Sequence, residues 1–235
     1  MESMTLDTDR STTATDRPDL SQYRGVHGAM RIANQQLVEG IAGTARGDRR
    51  RAAALVRWFQ GYGGELRAHH LIEDDLVFPN LVRRAPELAE LDAQLAADHH
   101  RLDEVIDGIG AALARMASGD GSWTEAPGEA LTLAIELRDL LVRHLDVEDD
   151  VILPTIERRF TVAEWEEIDG QVMEHMSLRQ TLFTVPWWMA TVDDETAAAS
   201  MEDAPFVLRV IWLVTRRRYA RLVRRAFGTS VPRRR

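Results

Sequence analysis

Two stretches of this chain carry the same set of chemically capable side chains. His69–Pro79 reads HHLIEDDLVFP and Arg143–Pro154 reads RHLDVEDDVILP, so His69, Glu73 and Pro79 recur as His144, Glu148 and Pro154 at a constant offset of 75 residues. A histidine four residues before a glutamate puts both side chains on one helical face, roughly 5–6 Å apart at Cβ, near enough to grip one metal ion or two adjacent ones. Both pairs fall on the apolar stripes of their segments. On a surface such a pair contributes only ~0.2–0.5 kcal/mol, but an inward glutamate left alone is strongly penalised or takes up a proton. Two inward glutamates, each one turn from an inward histidine, call for a compensating cation.

The remaining histidines extend the repeat. His27 precedes His69 by 42 residues and His99 precedes His144 by 45, so each half reads as a helix with one inward histidine followed by a helix with inward His-x-x-x-Glu. Packed together, the halves bring four imidazoles and two carboxylates to one place. The chain has no cysteine, which excludes thiolate and iron–sulfur sites and leaves His, Asp and Glu as donors. That donor set suits iron, manganese or zinc, and two glutamates able to bridge favour a dinuclear centre, with iron the preferred metal. No glutamate stands three residues before any histidine, so the Glu-x-x-His pattern of ferritin-like bundles is absent.

Several residues lie at the edge of this set. His70 sits about 100° around the helix from His69 and three residues before Glu73, so it could replace or supplement His69; its counterpart in the repeat is Leu145, which favours His69 as the ligand. His100 is off the stripe and is expected to pair with Glu104. His175, beside Trp165, Ile168 and Val172, is expected in a core or surface role. Asp74, Asp75, Asp149 and Asp150 form a solvated face that can orient histidine N–H groups, and Tyr62, on the inner stripe, fills space.

The elements that must position these side chains read as all-α, with 3.6-period stripes and almost no strand signal. A first helix is expected over Ser21–Ala42, with His27, Met30, Asn34, Leu37 and Ile41 on one face. A second runs from about Arg50 to a stop at Pro79, and a third from Pro86 to about Ser118 with His99 mid-stripe. After the loop Gly119–Gly128 a fourth carries Leu137, Leu141, His144, Glu148 and Val151 inward and stops at Pro154. Short connections make this an antiparallel up-down-up-down four-helix bundle. Two additional C-terminal helices are expected: one from the capping box Thr161–Glu164 to about Phe183, broken by Pro186, and one from Pro205 to Gly228. The chain thus divides into a disordered segment over 1–19, a bundle over 20–158 and a helical extension over 159–235.

At 235 residues, 45% hydrophobic and 29% charged, the composition is that of an ordinary globular protein. The net charge of −9 hides an asymmetry: residues 205–235 hold ten arginines and no acid, leaving 19 basic against 38 acidic residues elsewhere. No signal-like or membrane-spanning apolar run occurs, so a cytoplasmic location is expected. The last helix is expected to pack its apolar first half on the bundle near Trp187 and Trp188 while its arginines meet the acidic body. Peripheral contact with an anionic membrane is the alternative, and nucleic acid is not expected as a partner.

With the ligands placed this way, the chain resembles hemerythrin-like proteins of the HHE cation-binding type over about Ser21–Arg158, through His27, the HHLIEDDLVFP segment, His99 in DHHRL and the HLDVEDDVILP segment. The resemblance implies a non-haem di-iron site, carboxylate- and oxo-bridged, with His27, His69, Glu73, His99, His144 and Glu148 as ligands. It implies a protein that binds or reacts with oxygen, peroxide or nitric oxide, or senses oxygen or iron, and leaves open whether it is an enzyme. Oxygen-carrying members place a second histidine one turn after the third-helix histidine. Here that position is Asp103, so a site short of one imidazole is expected, and with it reactivity rather than reversible carriage. The VPWW and RRRYARLVRRAFG segments resemble C-terminal extensions of bacterial members. The competing reading is a structural or interaction bundle that contacts membrane or nucleic acid through its arginine-rich helix.

Overall fold

The computed structural model describes residues 17–118, 122–175, 177–202 and 204–228, and among them no strand occurs. The helices are α1 (Ser21–Ala42), α2 (Arg49–Ile72), α3 (Phe78–Arg84), α4 (Ala89–Ser118), α5 (Ala126–Val147), α6 (Leu153–Arg159), α7 (Val162–His175), α8 (Leu178–Thr191), α9 (Asp194–Glu202) and α10 (Phe206–Phe227). Local chemistry sets their starts. The Asp19 carboxylate accepts from the Ser21 N–H and Asp48 from the Arg51 N–H, satisfying donors that a first turn leaves open.

Each α1 flank meets a neighbour, α2 on one side and α5 on the other, and α4 closes the ring against α2 and α5. Ion pairs across the seams show the directions. Arg24 with Glu157 and Arg31 with Asp146 run α1 antiparallel to the α5–α6 rod, while Arg101 with Glu136 and Arg115 with Glu129 do so for α4 and α5. The all-α bundle expected from the stripes is therefore observed. The segment expected to be disordered falls, for residues 1–16, outside the described residues, as do residues 119–121 of the expected loop.

Neither proline stops its helix. Residues Glu73–Val77 and Glu148–Ile152 form π turns, in which the Phe78 N–H donates to the Glu73 carbonyl and the Leu153 N–H to the Glu148 carbonyl. Proline is excluded from an α-helix interior because it lacks an N–H and its ring strikes the carbonyl four residues back. A π turn widens the helix at that point, so α2 continues through Pro79 to Arg84 and α5 continues through Pro154 to Arg159. The extra residue also rotates the inner face. Val151, expected inward, is exposed, while Ile152 and Leu153 are buried.

The C-terminal extension departs further. The capping box at its start is present: the Thr161 N–H donates to Glu164, and the Glu164 N–H to the Thr161 hydroxyl. Two helices were expected, but four occur among the described residues of 162–227, because α7 ends at His175, Ser177 caps a new helix through the Gln180 N–H, and Pro186 lies inside α8. Buried Trp187 anchors α8 on the bundle core despite the lost hydrogen bond. Glycines on the bundle admit the extension: a Cβ at Gly61 would lie 2.1 Å from Phe183 of α8, and one at Gly40 would lie 2.6 Å from Phe227 of α10.

Candidate metal centre

All six histidine and glutamate ligand candidates converge between two apolar clusters. On one side lies the main core, including Met30, Leu66, Leu102 and Leu141. On the other lie Leu76, Phe78, Leu95, Leu153 and Trp165. Burial is nearly complete: Glu73, Glu148 and His27 are 0% exposed and His144 is 1% exposed.

The halves exchange ligands. Within each rod the expected pair forms, with His69 Nε2 at 3.0 Å from Glu73 Oε1 and His144 Nε2 at 3.1 Å from Glu148 Oε1. Between rods the lone histidine of each half meets the glutamate of the other, His27 Nε2 at 3.3 Å from Glu148 Oε2 and His99 Nε2 at 3.5 Å from Glu73 Oε2.

His70 joins them, contrary to the preference for His69 alone. It is buried, stacks on His99 at 4.3 Å between ring centres, and lies 5.7 Å from the His144 ring. Ligand atoms group within 4.8 Å as His70, His99 and His144, as His27, His69, Glu73 and Glu148, and as Glu73, His99, His144 and Glu148. Three imidazoles thus stand on one side, two on the other, and both glutamates belong to each side. A fifth imidazole, not counted among the expected ligands, stands in the cluster. Asp103, where a further histidine was sought, instead meets Arg67 at 3.3 Å on the outside of the bundle, and the fifth imidazole comes from α2.

The donor atoms are crowded yet unsatisfied. His27 Nε2, His69 Nε2, both His70 nitrogens and both Glu148 oxygens have no hydrogen-bond partner. Buried polar atoms in that condition are rare. Spacings near 3 Å without hydrogen-bond alignment match the edge of an octahedron whose ligands sit about 2.0–2.1 Å from its centre. The residues present therefore fit a metal ion.

Outer carboxylates set the tautomers. His27 Nδ1 lies 2.8 Å from Asp149 Oδ1 and His99 Nδ1 lies 2.9 Å from Asp74 Oδ1. An ionised carboxylate only accepts, so each Nδ1 carries the proton and each Nε2 keeps its lone pair for the interior. This is the orienting role expected of Asp74 and Asp149. Burial lowers the pKa values of His27, His99 and His144, and holds His70 well below the ordinary value with help from His99, which favours the neutral, ligating form. Burial raises the Glu148 carboxyl well above its usual range, reinforced by Glu73. Burial opposes a charge on Glu73 and on His69 as well, but each stabilises the other: Glu73 is held low and His69 is raised to about 9.

Tyr23 was missed, although it lies one turn before His27 on the same face. Its hydroxyl donates to Glu73, and its ring lies 5.0 Å from that of His27 and 5.6 Å from that of His69. Tyr62 donates instead to the Met30 carbonyl, in keeping with a packing role. His100 is exposed and outside the cluster; Glu104, its expected partner, pairs with Arg101. The side chain of His175 lies outside the described residues.

A helical bundle with buried histidines and carboxylates shared between two groups defines a class of cation-binding proteins. Within that class, the family model of the Hemerythrin HHE cation binding domain matches residues 19–156, and the chain belongs to this family. No curated protein and no solved structure matches it significantly.

Proposed function

We propose that the chain is a non-haem di-iron protein that binds or reacts with a small oxidant or diatomic molecule, namely oxygen, peroxide or nitric oxide. The observation carrying this reading is the division of five imidazoles, four of them buried, into three and two around a shared pair of glutamates. Iron at such a site supplies redox chemistry and an affinity for small oxygen- and nitrogen-centred ligands. His70, His99 and His144 hold one position and His27 and His69 the other, with Glu73 and Glu148 neutralising charge for both.

The protein's own groups then decide what enters and how it is held. The side with two imidazoles would have one donor fewer and would be where an exogenous ligand is accommodated, beside the ring of Tyr23. The Tyr23 hydroxyl holds a proton against Glu73 Oε1. The apolar clusters on either side exclude bulk water, and the most exposed of the ligand candidates is His69, whose side chain is 11% exposed. Such a site admits molecules of a few atoms and no metabolite-sized substrate.

A metal-free interaction bundle is the weaker reading, since it leaves Glu73 and Glu148 facing each other in a dry interior. The test is optical. Protein reconstituted anaerobically with ferrous iron is exposed separately to oxygen, peroxide and nitric oxide. New charge-transfer absorption with at least one of them is expected, and iron-loaded protein whose spectrum none of them alters contradicts the reading.

A further inference from the structure

The outward face of α10 carries five of the nine large apolar side chains exposed among the described residues. Phe206, Val207, Val210, Leu213 and Val214 are all exposed, Phe206 by 81% and Val214 by 71%. This reverses the expectation that the apolar first half packs inward. The half that packs is the second, where Tyr219, Val223, Ala226 and Phe227 are buried against α2 and α8. At 3.6 residues per turn, Arg217, Arg218, Arg221, Arg224 and Arg225 continue the same outward arc, roughly 140° wide, beyond Val214. These arginines and Arg216 are exposed and make no ion pair among the described residues. One helical face is therefore apolar along its first turns and cationic along its last, over about 33 Å of helix.

We propose that this face docks on the surface of an anionic phospholipid bilayer. The apolar end enters the headgroup–acyl boundary while the arginines reach lipid phosphates, the division of labour found in interfacial helices. The charge distribution orients the molecule. Residues 205–235 carry ten arginines without an acid, and the rest of the chain carries 38 acidic against 19 basic residues, so an anionic surface attracts α10 and repels the body behind it. A nucleic-acid partner uses the arginines but leaves five apolar side chains in water. A second copy, paired face to face, brings arginine clusters together if parallel and sets each over the partner's apolar side chains if antiparallel. No described helix is long and apolar enough to cross a membrane, so the contact is peripheral.

The test is co-sedimentation of the full chain with vesicles of phosphatidylcholine, or of phosphatidylcholine and phosphatidylglycerol in equal parts. Binding is expected only to the anionic vesicles, weakening with salt. Arg217→Glu with Arg221→Glu is expected to reduce partitioning at least roughly 25-fold, since each arginine near an anionic surface contributes about fivefold. Leu213→Ser with Val214→Ser reduces it as well. All four side chains are exposed, so both variants should melt as the parent does. The proposal is overturned by equal binding to neutral vesicles, or by anionic binding that neither variant weakens. It is also overturned by duplex-DNA binding that survives the serine pair and outcompetes vesicles, or by a dimer that the serine pair dissociates without any vesicle binding.

Discussion

The first half of the bundle (α1 to α3) and the second (α4 to α6) differ less in scaffold than in what they offer the metal. Both rods pass through a π turn that begins at a glutamate and precedes a proline. In both, the residue after the proline bonds back across the widened turn, Asn80 to the Leu76 carbonyl and Thr155 Oγ1 to the Val151 carbonyl. Even the arginines at the end match, Arg158 donating to Thr155 as Arg83 does to Asn80. Two positions break the correspondence. His70 faces Leu145 across the repeat, and Tyr23, one turn before His27, faces Leu95, one turn before His99. A duplicated frame thus makes an unequal site, and the inequality rests on two side chains from the first half.

The largest effect is expected where the halves are most alike. Glu73→Gln with Glu148→Gln keeps volume and removes the charge shared by both sides, so iron content should fall from about two per chain to near zero. The metal-free protein should melt earlier, because Glu73 and His69 no longer compensate each other, whereas burial already keeps Glu148 neutral. Melting with and without ferrous iron reads both, and persistence of the iron-induced rise in the double variant would sink the shared-carboxylate assignment.

His70→Leu copies the second half into the first. One metal position should weaken by more than the ~10–100-fold typical of losing an outer partner, while the metal-free melting temperature holds or rises as two unpaired ring nitrogens leave the interior. Unchanged affinity for both ions would make His70 a core residue. Asp74→Ala and Asp149→Ala probe the symmetric part: each should weaken binding by roughly 10–100-fold, and by similar amounts, in an anaerobic metal-competition titration. A tenfold disparity would mean that the two orienting carboxylates are not equivalent.

Away from the site the effects shrink. Gly61→Ala forces a Cβ against Phe183 and should cost about 1–3 kcal/mol, read as a lower melting temperature; an unchanged value would mean that α8 shifts freely. The capping box gives the smallest change. The Thr161 N–H and then Arg84 hold Glu164 at about 2, below the usual carboxylate range. A depressed carboxyl stabilises the fold above its unfolded pKa and loses that contribution as pH falls toward the folded value. Glu164→Ala should therefore melt slightly earlier at neutral pH and match the parent near pH 2. A gap that stays constant with pH would contradict this.

Much of the site was legible because ligand spacing is a local property. An i, i+4 pair on an apolar stripe reads as buried wherever the helix goes, and the 75-residue offset tied two such pairs together. What escaped was set by tertiary context. Pro79 and Pro154 read as stops because the rule against interior proline assumes α geometry, and the π turns that remove the clash leave no compositional mark. The repeat gave no reason to place His70 in the cluster, since its counterpart is Leu145, yet it is buried there against His99. Tyr23 carried a signal, the one-turn spacing to His27, that went unused. The apolar start of α10 reads as core by composition, but no described element covers it.

The iron-to-protein ratio after anaerobic ferrous reconstitution and removal of loosely bound metal, with Mössbauer spectra of the same sample, weighs most directly on an unequal two-metal site. Two irons per chain in two distinguishable environments are expected, collapsing toward one environment or one iron in His70→Leu. A single tightly bound iron in the parent protein, or two irons in indistinguishable environments that His70→Leu leaves unchanged, would contradict it.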